Sequence, residues 1–104
     1  MKVNSPREML LAVAQVIEDY PERHAKYQIA YDNNGLPAHP ASSTAQRFCA
    51  EGMMVRIDAE QKTCFAPDAL ELFKMHTFWS LSNASDRIER PALIKQLREV
   101  ANQL

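Results

Sequence analysis

The sequence predicts a mainly α-helical protein, a single small domain of about four helices with a short β hairpin or extended arm near residues 26–40. Apolar residues recur at helical spacing in several segments that begin with a capping residue or a proline. One short segment instead alternates with a period of two and leads into a cluster of turn residues. Because 104 residues suit one domain, we expect residues 1–104 to form one globular unit.

The first helix is predicted from a capping box. Ser5 stands three residues before Glu8, and Pro6 occupies the first helical position, where its missing N–H costs nothing. Pro21 predicts the end of this helix near Tyr20. Its apolar positions recur at helical spacing at Leu10, Val13, Ile17 and Tyr20.

The segment KYQIAYDNNGLPAHP, residues 26–40, has a different pattern. Tyr27, Ile29 and Tyr31 alternate with less apolar residues, and residues 32–35 carry strong turn chemistry. The prolines that follow exclude a regular central strand. We expect one short strand or extended arm, a turn and an irregular return, and two β segments here could also pair as a small hairpin.

Three further helices are predicted. The second begins at a cap on Ser42 or Ser43 and ends near Ile57, and the third runs from Pro67 to about His76. A polar connector, TFWSLSNASDRIER, covers residues 77–90. The last helix runs from Pro91 to about Gln103, and its buried stripe consists of Leu93, Leu97, Val100 and Leu104, with Ile94 and Ala101 alongside.

Gly52 falls inside the predicted second helix, where a glycine costs about 1 kcal/mol relative to alanine. Small residues on the same stripe would let another backbone approach closely. We therefore interpret Cys49, Gly52 and Met53 as structural residues of a packed face, with the final helix or the Trp79 segment as the expected neighbour. The full stripe is Ala45, Cys49, Gly52, Met53 and Ile57, with Phe48 adjoining.

Charge and cysteine content exclude several classes of protein. Twelve basic and thirteen acidic residues give a net charge of -1 and are interleaved, so nucleic-acid binding is not expected. It would require Arg47, Arg56, Arg87 and Arg90 to converge in space. Cys49 and Cys64 form no CxxC pair, and the N-terminal stretch resembles neither a signal peptide nor a membrane span. We expect a cytoplasmic protein with two reduced thiols.

The three histidines give no sign of a metal site. His24, His39 and His76 lack the three- or four-residue spacing to another ligand that a helical metal site uses. We therefore predict no metal and no cofactor, and interpret these histidines as ordinary surface residues. Arg56 is expected to extend over the apolar stripe or to pair with a carboxylate such as Asp86.

The order of these segments resembles a family of small uncharacterised bacterial and phage proteins, a domain of unknown function, over roughly residues 8 to 101. Its members carry an Arg-aromatic-Cys-Ala-x-Gly-Ala/Met core helix and then a Trp/Phe-Asn-Asp loop before a last amphipathic helix. Residues 47–53, RFCAEGM, match the helix motif. The loop matches at Asn83 only, since Ala84 stands where the family has an Asp. The resemblance implies this organisation and no chemistry.

Aromatic residues concentrate outside the helical stripes. Tyr27, Tyr31, Phe78 and Trp79 lie in the arm and the connector, where binding residues tend to be displayed. Packing of these rings onto a small core is the competing interpretation. We expect a protein-binding surface that includes Tyr27, Tyr31 and Trp79, together with Asn83 from the resembled loop.

Two hypotheses of function follow. The first is a non-enzymatic accessory or interaction protein, encoded by a phage or mobile element, that binds and modulates or inhibits a host protein. Self-association into a homo-oligomer through apolar helix faces is another form of this hypothesis. The alternative is a small cysteine-dependent enzyme that uses Cys49 as nucleophile and His76 as base, with Asp86 orienting the histidine.

Overall fold

Five α-helices and a two-stranded antiparallel sheet make up the part of the chain that the computed structural model describes, residues 1–103. The helices are α1 (Pro6–Asp19), α2 (Ala50–Gln61), α3 (Ala66–Thr77), α4 (Leu81–Arg87) and α5 (Arg90–Asn102). The strands are β1 (Ala30–Asp32) and β2 (Ala45–Phe48), and a 3₁₀ turn covers Pro21–Arg23. The protein is 59% helical and forms one globule, which confirms the predicted fold class.

Helix α1 begins and ends close to the predicted residues. The Ser5 hydroxyl accepts a hydrogen bond of 3.1 Å from the Glu8 N–H, so the predicted cap is present. The helix ends at Asp19, one residue before the expected end at Tyr20. Of its apolar stripe, Met9, Leu10, Val13 and Ile17 are buried, whereas Tyr20, expected on the same stripe, is the C-cap of the helix and is exposed.

Helix α5 packs along α1, and together they form the main helix pair of the core. The predicted stripe is buried at Leu93, Leu97 and Val100, while Leu104 lies outside the described residues. At the surface, the Arg98 guanidinium holds the Glu18 carboxylate in two hydrogen bonds of 2.8 and 3.1 Å. This contact lowers the pKa of Glu18 and raises that of Arg98. The apolar face of the last helix is therefore buried in the core of the protein.

The predicted second helix is wrong in its first part, because residues 45–48 form strand β2. Tyr31 pairs with Arg47 but Asp32 pairs with Ala45, so Gln46 is an extra residue in β2. This irregularity lets Ala45 and a residue three positions later, Phe48, both face the core. A spacing of three mimics helical periodicity, and the pairing with β1 overrides it. The helix begins only at Ala50.

Strand β1 lies in the segment where a strand or arm was expected, but the alternation of Tyr27, Ile29 and Tyr31 does not define it. The residue that faces the core is Ala30, which is fully buried, whereas Tyr27 and Ile29 are exposed. The predicted turn is present, because the Asp32 carboxylate accepts hydrogen bonds from the N–H groups of residues 34 and 36. The partner strand comes from beyond residue 40.

Gly52 lies in the first turn of α2, directly under the main chain of the arm. A Cβ atom there would lie 1.9 Å from the carbonyl oxygen of Ile29. That same oxygen accepts a hydrogen bond of 3.2 Å from the Cys49 N–H. Close approach of another backbone thus explains the glycine, but the expected neighbour, the final helix or the Trp79 segment, is wrong. Met53 is buried beside it, in the hydrophobic core.

The third helix is confirmed to within one residue at each end, and Asp58 of α2 prepares its start. One oxygen of this carboxylate accepts the N–H of Phe65 at 3.1 Å and the other accepts that of Ala66 at 2.8 Å. These N–H groups would otherwise lack partners at the beginning of α3.

The predicted polar connector at residues 77–90 is wrong in its middle, where α4 forms. Ser80 caps this short helix, since its hydroxyl accepts the Asn83 N–H at 3.2 Å. Leu81, Ala84 and Ser85 are buried against the core. A seven-residue helix with one large apolar side chain has too little periodicity to stand out in the sequence.

Candidate functional site

Cys49 is the N-cap of α2 rather than a residue of its second turn. Its thiol sulfur accepts a hydrogen bond of 3.3 Å from the Gly52 N–H, and the residue is 3% exposed. Burial raises the pKa of the Cys49 thiol above its ordinary value. A nucleophilic cysteine needs the opposite change, because the thiolate is the reactive form. The geometry therefore makes Cys49 a structural cap.

The histidine proposed as its base lies elsewhere. His76 is exposed in the last turn of α3, and the hydrogen bonds of Cys49 go to Ile29 and Gly52. Asp86, proposed to orient the histidine, accepts the N–H of Tyr27 instead. Cys49 and Asp86 line one groove of about 60 Å³, but His76 is not part of it, so the proposed nucleophile and base are not brought together.

A buried polar cluster around His24 was missed by the sequence analysis, which treated His24 as a surface residue. His24 is 3% exposed, and its Nε2 lies 2.8 Å from the hydroxyl of Ser85, which is fully buried. The same hydroxyl accepts the N–H of Ala50 at 3.1 Å. Arg90 Nε donates to His24 Nδ1 at 3.2 Å. The cluster joins the start of α2, helix α4 and the start of α5 to the chain after α1.

This serine–histidine contact is not arranged as a nucleophile and base. Because the Arg90 guanidinium can only donate, Nδ1 of His24 accepts, and the proton of the neutral ring lies on Nε2. The ring therefore donates to Ser85 and has no free lone pair to take its proton. Burial, first, and the Arg90 charge, second, lower the pKa of His24 to about 4, which keeps the ring neutral near pH 7. The cluster therefore has a structural role, since its hydrogen bonds hold these elements together, and we call it the latch.

Tyr27 is the most exposed of the predicted binding residues. Its side chain is 77% exposed, and its backbone is held at a φ of 76°, a conformation that aromatic residues rarely adopt. The Asp86 carboxylate fixes it by accepting its N–H at 2.8 Å. The Tyr27 ring therefore faces solvent, while its backbone is anchored to α4 by this hydrogen bond.

Phe78 repeats this combination at the end of α3. It is 90% exposed and closes the helix in the left-handed conformation, with a φ of 66°. Glycine or asparagine is the usual residue at such a position. The sequence analysis counted Phe78 among the aromatic residues outside the helices but did not include it in the binding surface, since nothing in HTFWSL marks the left-handed position.

The other three predicted binding residues differ in their surroundings. Tyr31 is half-buried, with its hydroxyl donating to the Lys26 carbonyl at 2.9 Å and the Arg47 guanidinium 5.0 Å from its ring centroid. Trp79 is half-buried and packs against the hydrophobic core. Asn83 is exposed on α4, in a helix rather than the expected loop. Tyr27 contacts α4 near its C-terminal end, whereas Trp79 directly precedes Ser80, the residue that caps the N-terminus of α4.

Two shallow grooves lie side by side, one at Tyr27 and the other along α3. The first has a volume of about 60 Å³ and is lined by Tyr27 and Ile29, and the second, of about 150 Å³, is lined by Lys74. Glu51 and Ser82 line both grooves, so the two are neighbours. Phe78 lines neither groove, but its N–H donates at 2.8 Å to the carbonyl of Lys74, which lines the second. We call this strip, Tyr27, Ile29, Glu51, Ser82, Lys74 and Phe78, the aromatic surface.

The arginines considered for nucleic-acid binding are engaged in separate places. Arg47 lies over Tyr31, and Arg90 donates to His24. Arg56 donates to Glu60 at 2.6 Å and to the Ser42 carbonyl at 2.6 Å, so it pairs with a carboxylate as expected, but with Glu60 rather than Asp86. Arg87 is exposed on α4. No contact joins these four guanidinium groups within residues 1–103 into one basic patch.

Within the described residues, no three histidine, cysteine or acidic side chains are grouped as a metal site would require. No helix among residues 1–103 has the length and hydropathy needed to cross a membrane. Comparisons of the chain with protein-family models, with curated proteins and with solved structures gave no match.

Proposed function

We propose that the protein is a non-enzymatic binding protein that contacts another protein through the aromatic surface. The observation that carries this proposal is the display of Tyr27 and Phe78, each at positive φ and each largely exposed. A left-handed conformation at a non-glycine residue costs of order 1–3 kcal/mol and persists where the surroundings enforce it. Exposed aromatic rings on a fixed backbone are typical of the residues that dominate protein–protein interfaces.

The remaining geometry agrees with a binding role. The grooves beside Glu51 and Ser82 are shallow, which suits the contact of another protein more than the enclosure of a substrate. Cys49 and Ser85, which an enzyme would use as nucleophiles, are both buried as hydrogen-bond acceptors. In its finer form, the proposal is a phage- or mobile-element-encoded chain that modulates or inhibits a host protein by occupying its surface.

The test is affinity capture with three forms of the chain. The double variant Tyr27→Asn, Phe78→Gly removes both rings while keeping residues that tolerate positive φ. The matched control is Leu36→Ser, which removes another exposed apolar side chain, 60% exposed, outside the aromatic surface. We expect a stoichiometric partner to be retained by the wild type and the control and lost by the double variant. Retention of the same proteins by all three forms would refute the proposal.

Self-association is measured in the same series by sedimentation velocity. If the partner is a second copy of the chain, the wild type sediments as a dimer and the double variant as a monomer. A dimer that survives the double variant would place the interface elsewhere, and the aromatic surface would lose its proposed role.

A further inference from the structure

A cavity of about 370 Å³ lies between α1 and α2 and shares no lining residue with the aromatic surface. Its volume falls in the range of about 300–1,000 Å³ that small-molecule sites occupy. The apolar part of its wall consists of Met1, Ala12, Val16, Phe48, Met53 and Ile57. Polar side chains lie around this floor, so a ligand would meet an apolar base and a charged rim.

Two arginines close one end of the cavity over the Phe48 ring. The guanidinium carbons of Arg23 and Arg56 lie 5.7 and 5.8 Å from the ring centroid. Arg56 is already held by the Glu60 carboxylate and two backbone carbonyls. The guanidinium of Arg23, in contrast, makes no hydrogen bond or ion pair with residues 1–103, and neither does the hydroxyl of Tyr20, which is 53% exposed. Two donors at one end of the cavity are thus available to a ligand.

The acidic residues on the rim restrict the charge of that ligand. Asp19 accepts a hydrogen bond from the Gln15 amide at 2.9 Å, and Glu60 is paired with Arg56. These carboxylates would repel a doubly charged phosphate, whereas a cationic ligand would face the unpaired Arg23. A single negative charge on a planar group matches the one guanidinium that is available.

We propose that the cavity between α1 and α2 binds small amphipathic monocarboxylates. The carboxylate receives hydrogen bonds from Arg23 and from the Tyr20 hydroxyl, and the apolar tail lies on the floor formed by Val16, Met53 and Ile57. The site is independent of the aromatic surface, so it gives the chain a second kind of ligand.

The test uses octanoate as the probe and backbone amide NMR shifts as the readout. We expect saturable shifts around Val16 and Ile57, with a Kd in the millimolar range or below. Arg23→Gln should raise this Kd roughly tenfold or more, because a hydrogen bond to a charged group contributes about 1.5–3 kcal/mol. The matched control, Arg87→Gln, removes an exposed arginine that lines none of the grooves and should leave the Kd unchanged.

Three probes of equal chain length then test the chemistry. Octylammonium should bind more weakly than octanoate because its positive charge would face Arg23. Octanol should also bind more weakly because it carries no charge. Octyl phosphate should also bind more weakly because of Asp19 and Glu60. The proposal is overturned if no saturable shifts occur, if Arg23→Gln binds octanoate as the wild type does, or if any of the other three probes binds as tightly. Shifts confined to residues outside the cavity, such as Ile94 of α5, would overturn it as well.

Discussion

At the scale of single residues, Gly52 is the position where the main chain of the arm touches α2. The Ile29 carbonyl occupies the space that a side chain would need, 1.9 Å from the Cβ position. Helix propensity alone would make Gly52→Ala stabilising by about 1 kcal/mol. We expect the reverse, a loss of about 1–3 kcal/mol in unfolding free energy from overpacking. Urea denaturation measures it, and a variant as stable as the wild type would contradict the close contact.

Replacing Phe78 with glycine should raise the unfolding free energy, the opposite of the effect expected for Gly52→Ala. Its ring is 90% exposed, so removing it forfeits little packing, while glycine relieves the left-handed backbone. We expect Phe78→Gly to raise the unfolding free energy by about 0.5–1 kcal/mol. The same denaturation experiment on Leu36→Ser, which changes another exposed apolar side chain, should show no such gain. A destabilised Phe78→Gly protein would mean that the ring contributes to the fold.

The two cysteines should differ strongly in reactivity. Cys64 is exposed, whereas Cys49 is buried and its thiol pKa is raised by that burial. With a thiol reagent at neutral pH, native Cys49→Ser protein should be labelled quickly through Cys64. Native Cys64→Ser protein should be labelled only as fast as it opens or unfolds. Rapid labelling of Cys49 in the native protein would restore the hypothesis of a cysteine-dependent enzyme.

At the scale of elements, the His24 cluster ties α2, α4 and α5 to the segment after α1, and its stability should depend on pH. In the unfolded chain the ring takes up a proton below its ordinary pKa of 6.5, whereas the folded protein resists this until about pH 4. The unfolded state therefore binds more protons in this window, and stability is lost as the pH falls. From about pH 7 to about pH 5 we expect a loss of about 1–2 kcal/mol in unfolding free energy.

The matched variants for this experiment are His24→Gln and His76→Gln. His24→Gln removes the buried ring, so the unfolding free energy should change less between these pH values. His76→Gln removes an exposed ring, so the unfolding free energy should change with pH as it does in the wild type. An NMR titration of the His24 ring in the wild type gives a second readout. Equal slopes in the wild type and His24→Gln, or a ring that titrates at its ordinary pKa, would show that the latch is not as described.

The elements themselves show how far the sequence predicts this fold. Helices α1, α3 and α5 each combine an apolar stripe with a proline in the first turn, and the sequence predicts them to within a residue or two. Strand β2 was mistaken for helix because the extra residue Gln46 puts Ala45 and Phe48 at a helical spacing. Its extended form comes from pairing with β1, which is information that lies outside the segment. Helix α4 is too short for periodicity to reveal.

At the scale of the whole molecule, the candidate site was predicted in part. An exposed aromatic arm follows from turn residues and prolines around residues 26–40, and Tyr27 is indeed displayed there. The positive φ of Phe78 and the contact of His24 with Ser85, 61 residues apart in sequence, arise only when distant elements pack. Cys49, which the sequence places on a helix stripe, instead caps the start of α2, and this position too depends on the pairing of β2.

We propose that the fold holds Tyr27 and Phe78 in unfavourable backbone conformations and so displays both rings to a protein partner. The most direct measurement is the affinity of the captured partner for purified wild type and Phe78→Gly, alongside the unfolding free energy of both. We predict that affinity falls by tenfold or more, as for a residue that dominates an interface, while stability stays equal or rises. An unchanged affinity, or a loss of affinity that occurs only together with a loss of stability, would contradict the claim.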